Sequence, residues 1–171
     1  MIKIYAARSM TGRVKEDVVA EATADKTYFE KAGFIVLCPV IAENVPSTKE
    51  VIRSSKKAMD VFWKRDKEMI REANAVIDMT PSLKSEGVSH ELGYSRYCLW
   101  KPVIRVYEKG NLPIRSSVAW YEDDVIVDSK EEVVEYLLRV HGTFWKRTKW
   151  RLQMLNKSLL KWVIYQVQEF K

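Results

Sequence analysis

Ala75-Val76-Ile77-Asp78-Met79-Thr80-Pro81-Ser82-Leu83-Lys84-Ser85-Glu86-Gly87-Val88-Ser89-His90-Glu91-Leu92-Gly93-Tyr94 passes from an apolar run through a polar turn into a helical pattern. The run over residues 75–79 predicts a buried strand. The pattern over residues 87–100, stopped before Pro102, predicts a helix. Glu91 therefore falls in the first turns of a helix that follows a strand-end loop. Open α/β sheets bind ligands in the crevice outside the carboxyl ends of their strands. A carboxylate there can act as a nucleophile or a proton shuttle, especially where a second carboxylate drives the two pKa values apart. Asp66, on the helix predicted before this strand, is the candidate partner.

The rest of the chain repeats the same alternation. Residues 2–7, 34–38 and 103–107 predict further strands, and residues 14–32 and 55–73 predict helices, the first of them ended by Gly33. The second strand is apolar throughout, as expected of a strand covered on both faces. Residues 39–54, with Pro39 and Pro46, read as a long polar connection of the kind used for lids and binding loops. Residues 118–121 and 125–127 predict short edge pieces. Ser129, with Glu132 at the capping-box position, starts a helix running to about Val140. Strands alternating with helices predict an α/β domain with a parallel sheet and helices on both sides. Gly142 is the expected boundary: residues 1–142 form the domain, and 143–171 form one appended helix.

With 171 residues, 47% of them apolar and 30% charged, the chain has the composition of one soluble globular domain. No apolar stretch approaches the roughly 18–20 residues that a bilayer span needs, and Met1-Ile2-Lys3-Ile4-Tyr5 reads as a first strand rather than a signal peptide. The expected location is cytoplasmic. Cys38 and Cys98 fit buried free thiols better than a disulfide framework, and two histidines without a cysteine cluster exclude a zinc-type site. No metal and no cofactor are expected. The net charge of +6 belongs to residues 143–171, which hold seven Lys/Arg against Glu169; residues 1–142 balance at zero. In this tail Leu152, Leu155, Leu159, Trp162 and Val163 form a helical apolar stripe. Three readings of it stand side by side: a helix packed on the domain or on a second copy, a nucleic-acid contact, and an anionic-membrane contact.

The strand ends would deliver polar residues to one rim. Arg8-Ser9-Met10-Thr11-Gly12-Arg13 opens the first helix, and its hydroxyls and backbone N–H groups suit an anion, with Arg8 or Arg13 adding charge. After the third strand, Ser85 supplies another hydroxyl and Gly87 permits close backbone approach. Each element also has a plain structural reading. Ordinary βα turns contain Ser and Gly, and an early-helix glutamate such as Glu91 complements the positive helix dipole. Asp66 fits a solvated helix face, and Trp63, one turn earlier, fits core packing better than base stacking. His90 and His141 read as surface or satisfied histidines. The combination points further than its parts.

Tyr5-Ala6-Ala7-Arg8-Ser9-Met10-Thr11-Gly12-Arg13, then Asp66 with Ala73-Asn74-Ala75-Val76-Ile77-Asp78, then Ser85-x-Gly87-x-x-x-Glu91-Leu92-Gly93 resemble the nucleoside 2-deoxyribosyltransferase superfamily. Within it the resemblance is nearest to the 2′-deoxynucleoside 5′-monophosphate N-glycosidases, and it covers residues 2–141. It implies a flavodoxin-like (Rossmann-like) fold and hydrolysis of the N-glycosidic bond of a nucleoside 5′-monophosphate. Glu91 would attack C1′, Asp66 would protonate the departing base, and Tyr5 would orient Glu91. Of the two carboxyls, Asp66 would then have the higher pKa. Ser9, Thr11, Gly12, Arg13, Asp78, Ser85 and Gly87 would bind substrate. Ser117, or Ser116, would reach a neighbouring subunit's phosphate in a homodimer or higher homo-oligomer. Transferases of free nucleosides commonly carry a carboxylate at position 85, which would repel a 5′-phosphate, whereas a serine can donate to one. Thr11 stands where the monophosphate hydrolases tend to have arginine, so Arg8 or Arg13 would substitute. Base exchange by a deoxyribosyltransferase is the alternative enzyme, and a nucleotide-sensing or nucleic-acid-binding module is the alternative from another class.

Overall fold

The computed structural model describes residues 1–42, 56–83, 85–107 and 125–141. The chain forms two compact units, Met1–Val134 and Glu135–Lys171. The first contains the whole sheet. Of the second, residues 135–141 are described, the end of the last described helix and one turn residue. The expected boundary at Gly142, the tail 143–171 and the edge piece 118–121 lie outside the described residues.

In chain order the elements are β1 (Lys3–Ala7), α1 (Lys15–Lys31), β2 (Ile35–Leu37), α2 (Pro39–Ala42), α3 (Lys56–Glu72), β3 (Ala75–Asp78), α4 (Glu86–Gly93), a π-helical turn (Tyr94–Cys98), β4 (Val103–Val106), β5 (Val125–Val127) and α5 (Lys130–Val140). The five strands pair in the order β2-β1-β3-β4-β5, all parallel. This is the flavodoxin-like order, whose topological switch lies between β1 and β3. Register sets Ala7 opposite Asp78, so these two strands deliver their last residues to the switch-point rim together.

The pleat divides the core. On one face Tyr5, Ala7, Val76 and Val103 pack with Ile70 and Ala73 at the end of α3 and with Val88 and Leu92 of α4. Each large apolar side chain buried this way stabilises the fold by about 1.5–3 kcal/mol. The alternate residues Ile4, Ala6, Ile77 and Ile104 are equally buried and belong to the other face. There the first turn of α5 meets α1 through side chains, the Tyr28 hydroxyl donating to Glu131 at 2.8 Å.

Helix ends follow local chemistry. Gly33, at φ 88°, closes α1: its N–H donates to Glu30 O at 3.0 Å and that of Phe34 to Phe29 O at 3.1 Å, a Schellman motif. Ser129 caps α5 through Glu132 N–H at 3.3 Å, while Glu132 accepts from Asp128 N–H at 3.1 Å. Three expectations change. The connection after β2 begins with a helical turn, α2, because Pro39 at its first position has φ preset for helix and no N–H to lose. The helix carrying Glu91 is α-helical only to Gly93 and then widens into the π-helical turn. Cys98, expected to be buried, lies exposed at the end of that turn, while Cys38 is buried; both are free thiols. No described helix is long and apolar enough to cross a membrane.

Candidate active site

Trp63, Asp66 and Ile70 lie three and four residues apart on α3 and share its inward face. Ile70 is fully buried under the sheet face that carries Tyr5, which draws Asp66 to the rim above Tyr5. On α4, Leu92 enters the same apolar cluster, and its neighbour Glu91 is carried to the same place. Trp63 does not face open space: its ring meets Tyr94 edge-on at 5.8 Å, and Lys67 lies over it at 5.5 Å. The packing reading of Trp63 holds, and Tyr94 joins α3 to the end of α4.

Tyr5, Asp66, Asp78 and Glu91 therefore converge. Tyr5 is fully buried, and burial, followed by the charges of Glu91 and Asp66, pushes its hydroxyl pKa well up. Burial likewise drives the Glu91 carboxyl up to about 8; Asp66 and Asp78 reinforce the rise, and the Tyr5 hydroxyl opposes it by hydrogen bonding to the ionised form. The pair is close but not well aligned, for Tyr5 Oη and Glu91 Oε2 are buried without a partner in good hydrogen-bond geometry. Catalytic hydrogen bonds in ligand-free sites are often of this loose kind. Burial also raises Asp66, but Arg65 Nη2, 3.1 Å from Asp66 Oδ1, pulls it back.

Both carboxyls are thus raised, chiefly by burial: Glu91 also feels two other carboxylates and has no cation of its own among the described residues, whereas Arg65 offsets part of the rise of Asp66. Arg65 was invisible to the spacing argument, since neighbours in sequence do not share a helix face. Cys38, at the end of β2 beside β1, also raises Tyr5. The strand register, Tyr5 opposite Leu37, is the signal that could have placed it there.

The switch-point rim is tied across its strands. Asp78 Oδ1 accepts from Thr80 N–H at 3.0 Å, and Thr80 Oγ1 accepts from Ser9 N–H at 2.8 Å. Ser9 is buried with its hydroxyl unpartnered. Gly12, at φ 73°, turns the loop as Arg13 N–H reaches Met10 O at 3.2 Å, and Thr11 at its tip is exposed. Ser85 caps α4, accepting from Val88 N–H at 3.4 Å, which leaves its hydroxyl proton free to donate. A Cβ on Gly87 would meet only Ser85 Oγ, at 3.8 Å, so the absent side chain keeps the space beside that hydroxyl open. His90 is exposed, as expected. Ser116 and Ser117 lie outside the described residues.

Arg8 and Arg13 do not join the carboxylates. Arg8 is buried and pairs with Glu21 and Asp25; Arg13 pairs with Glu21, and Lys130 with Asp25. This network lies on the α1 face and lines a cavity of about 600 Å³ that also touches Thr80 and Tyr107. The charge expected to meet an anion is therefore engaged, apart from Arg13 Nη1, which is buried without a partner. Among the described residues no group of three or more His, Cys, Asp or Glu could hold a metal ion.

No protein-family model and no curated protein sequence matches the chain. Solved structures match by fold. A 2-deoxyribosyltransferase of Bacillus psychrosaccharolyticus superposes with a TM-score of 0.58 at 21% identity, covering 78% of this chain and 91% of its own. A conserved protein of Enterococcus faecalis V583 gives 0.55 at 15% identity, with 79% and 96% covered. A CMP N-glycosidase of Clostridium botulinum gives 0.48 at 16% identity, with 79% and 97% covered. At these identities the first two likenesses show the shared fold.

Proposed function

We propose that the chain cleaves the N-glycosidic bond of a nucleoside 5′-monophosphate by hydrolysis, with Glu91 as nucleophile. The observation that carries this reading is the convergence of Tyr5, Asp66 and Glu91 at the switch-point rim, with both carboxyls raised. Breaking an N-glycosidic bond builds positive charge on the sugar, which a close carboxylate stabilises and then captures. Retaining O-glycosidases divide the labour between two carboxyls in the same way. Glu91 and Asp66 are coupled, the Asp66 charge raising Glu91. Their proton must rest on Asp66 when the base leaves, so that Glu91 is ionised; the Tyr5 hydroxyl favours that arrangement by hydrogen bonding to the Glu91 carboxylate.

In the first step Glu91 forms an ester to C1′ while the C1′–N bond breaks and Asp66 gives its proton to the base. In the second, Asp66 takes a proton from water as the water oxygen attacks C1′, releasing sugar 5-phosphate and free Glu91. Ser85, Ser9 and the Gly12 turn are the assigned substrate contacts, and Arg13 Nη1 is the cationic donor in reach of that loop.

One observation favours a second reading. Arg8 and Arg13 are largely committed to Glu21 and Asp25, which suits an uncharged nucleoside and base exchange. The fold shared with a 2-deoxyribosyltransferase agrees with it. The test is chromatography of free base released from a panel of nucleosides and 5′-monophosphates, with and without an acceptor base, against Glu91→Ala. Release from monophosphates that the substitution abolishes is the expected result. Release from nucleosides only with acceptor present selects the transferase. No release from any member discards both enzymes in favour of a binding module.

A further inference from the structure

Asp66 and Glu91 sit on different helices, so their spacing depends on what holds α3 against α4. Lys101 is placed to do this. Its ammonium donates to three carbonyls at the end of α3: Ile70 O at 2.7 Å, Ala73 O at 2.6 Å, and Arg71 O. A helix leaves its last carbonyls without partners and carries partial negative charge there, so one cation answers both needs. The backbone of the same residue is fixed to the other helix, for Lys101 N–H donates to Ser95 O at 3.1 Å, inside the π-helical turn that continues α4. The two anchor points stand in the same relation to the two carboxyls. Ile70 is one turn after Asp66, and Ser95 is one turn after Glu91.

The surroundings keep this residue in place. Trp100, immediately before it, has the left-handed backbone φ of 54°, a conformation that costs a non-glycine residue roughly 1–2 kcal/mol. Val76 N–H donates to Pro102 O at 3.0 Å, which seats the following strand beside β3. Between α3 and the turn, Tyr94 packs on Trp63 and Arg71 lies over its ring at 5.7 Å. π-Helical turns are rare and frequently occur at functional sites; here the turn carries the anchor.

We propose that Lys101 is a positioning residue that clamps the end of α3 to the turn after α4 and thereby sets the distance between Asp66 and Glu91. The kinetic part of this proposal rests on the reading of those two groups as acid and nucleophile. The structural part does not. Burial lowers the Lys101 ammonium to about 8, while the three carbonyls it meets favour its charged form.

The test uses the full chain with Lys101→Met, Lys101→Gln and Lys101→Arg, each checked for folding by circular dichroism. The first readout is the titration of Glu91, followed by carbon NMR of side-chain-labelled glutamate and assigned with Glu91→Gln. The groups that face Glu91 are Tyr5 of β1, Asp66 of α3 and Asp78 of β3, with Arg65 acting through Asp66. If the clamp loosens, Asp66 moves away and the Glu91 pKa falls below about 8 in Lys101→Met, while burial, the largest cause, still holds it above its ordinary value. It stays in place in Lys101→Arg, and Lys101→Gln gives the same answer should the methionine variant not fold. An unmoved Glu91 titration in the folded variants overturns the clamp whatever the kinetics show. The second readout is kcat and KM on substrates with good and poor leaving bases. Misplacing catalytic groups by about 1 Å can cost roughly 100-fold. Lys101→Met is therefore expected to lose roughly 10- to 100-fold in kcat on the poorest leaving groups, less on the best, with KM little changed, and Lys101→Arg to recover most of it. A loss equal across leaving groups assigns Lys101 to fold stability and overturns positioning. A wild-type chain that cleaves nothing overturns the proposed activity, while the Glu91 titration still decides the clamp.

Discussion

Two clusters of charge share the carboxyl rim of one sheet and are built on opposite rules. On the α1 face, Glu21 and Asp25 meet Arg8, Arg13 and Lys130 in one connected network. Arg13, by hydrogen bonding, holds Glu21 below the usual carboxylate range. On the α3 and α4 face, Tyr5, Asp66, Asp78 and Glu91 are gathered, Arg65 pairs with Asp66, and the carboxyls of Asp66 and Glu91 rise nonetheless, burial being the largest cause. Compensated charge stabilises a fold or leaves it unchanged. Uncompensated charge costs stability, and such sites are where function is concentrated. The difference separates the scaffold from the candidate chemistry without any appeal to relatives.

The comparison breaks most easily at Arg8. Its guanidinium is buried against a nearly buried Asp25, and removing one partner of a buried pair strands the other charge. Arg8→Met should cost about 3 kcal/mol in denaturant unfolding, the low end of the usual range because Lys130 still reaches Asp25. Replacing both partners with apolar side chains, as in Arg8→Met with Asp25→Leu, should recover much of the loss. Equal destabilisation by the single and double variants would mean that the network contributes through geometry rather than charge.

The two clusters also respond to pH with opposite sign. A carboxyl raised by folding keeps its proton where the unfolded chain has lost it. Stability therefore falls as pH climbs from the ordinary value of 4.5 toward about 8 for Glu91, then levels off. Asp66 contributes in the same direction. Glu21, lowered in the folded chain, contributes stability above its unfolded value that is lost as pH falls through its folded value; it is half exposed, so solvent screening keeps that contribution small. Glu91→Gln should flatten the decline between about pH 5 and 8, gaining on the order of 1–3 kcal/mol at the upper end, from roughly 1.4 kcal/mol per unit discounted for coupling to Asp66. Melting temperatures of the two chains across that window would show it, and parallel curves would place the uncompensated charge elsewhere.

Much of this contrast was legible before the structure. The strand–loop–helix around Asp78 and Glu91, and the helix bearing Asp66, were legible from apolar periodicity, with Pro102 as a stop. Those signals are local, and the parallel order follows from their alternation. The ion network was not legible, because Arg8, Glu21, Asp25 and Lys130 come together only when α1 and α5 pack on one face of the sheet. The same holds for Lys101, whose partners lie about thirty residues away. The rise of Glu91 and Asp66 was not legible for a related reason: burial, its largest cause in both, comes only with the packed fold. Ser117 and the tail lie outside the described residues, so their assignments stand as proposals on the sequence alone.

Arg13 is where the two clusters touch, and it offers the smallest but sharpest comparison. It shares Glu21 with Arg8 and is partly exposed, so Arg13→Gln should change stability by less than about 1 kcal/mol. Its Nη1 is buried without a partner beside the Gly12 turn, in the loop to which an anion is assigned. If that donor meets a 5′-phosphate, the substitution removes one charge-assisted hydrogen bond, worth about 1.5–3 kcal/mol. KM for monophosphates should then rise roughly 10- to 100-fold, while nucleosides without phosphate are unaffected and kcat is little changed. An unchanged KM would confine Arg13 to the compensated network. Phosphate recognition would then fall to Ser85 and the first amides of α4, or the substrate would carry no phosphate and base exchange would become the better reading.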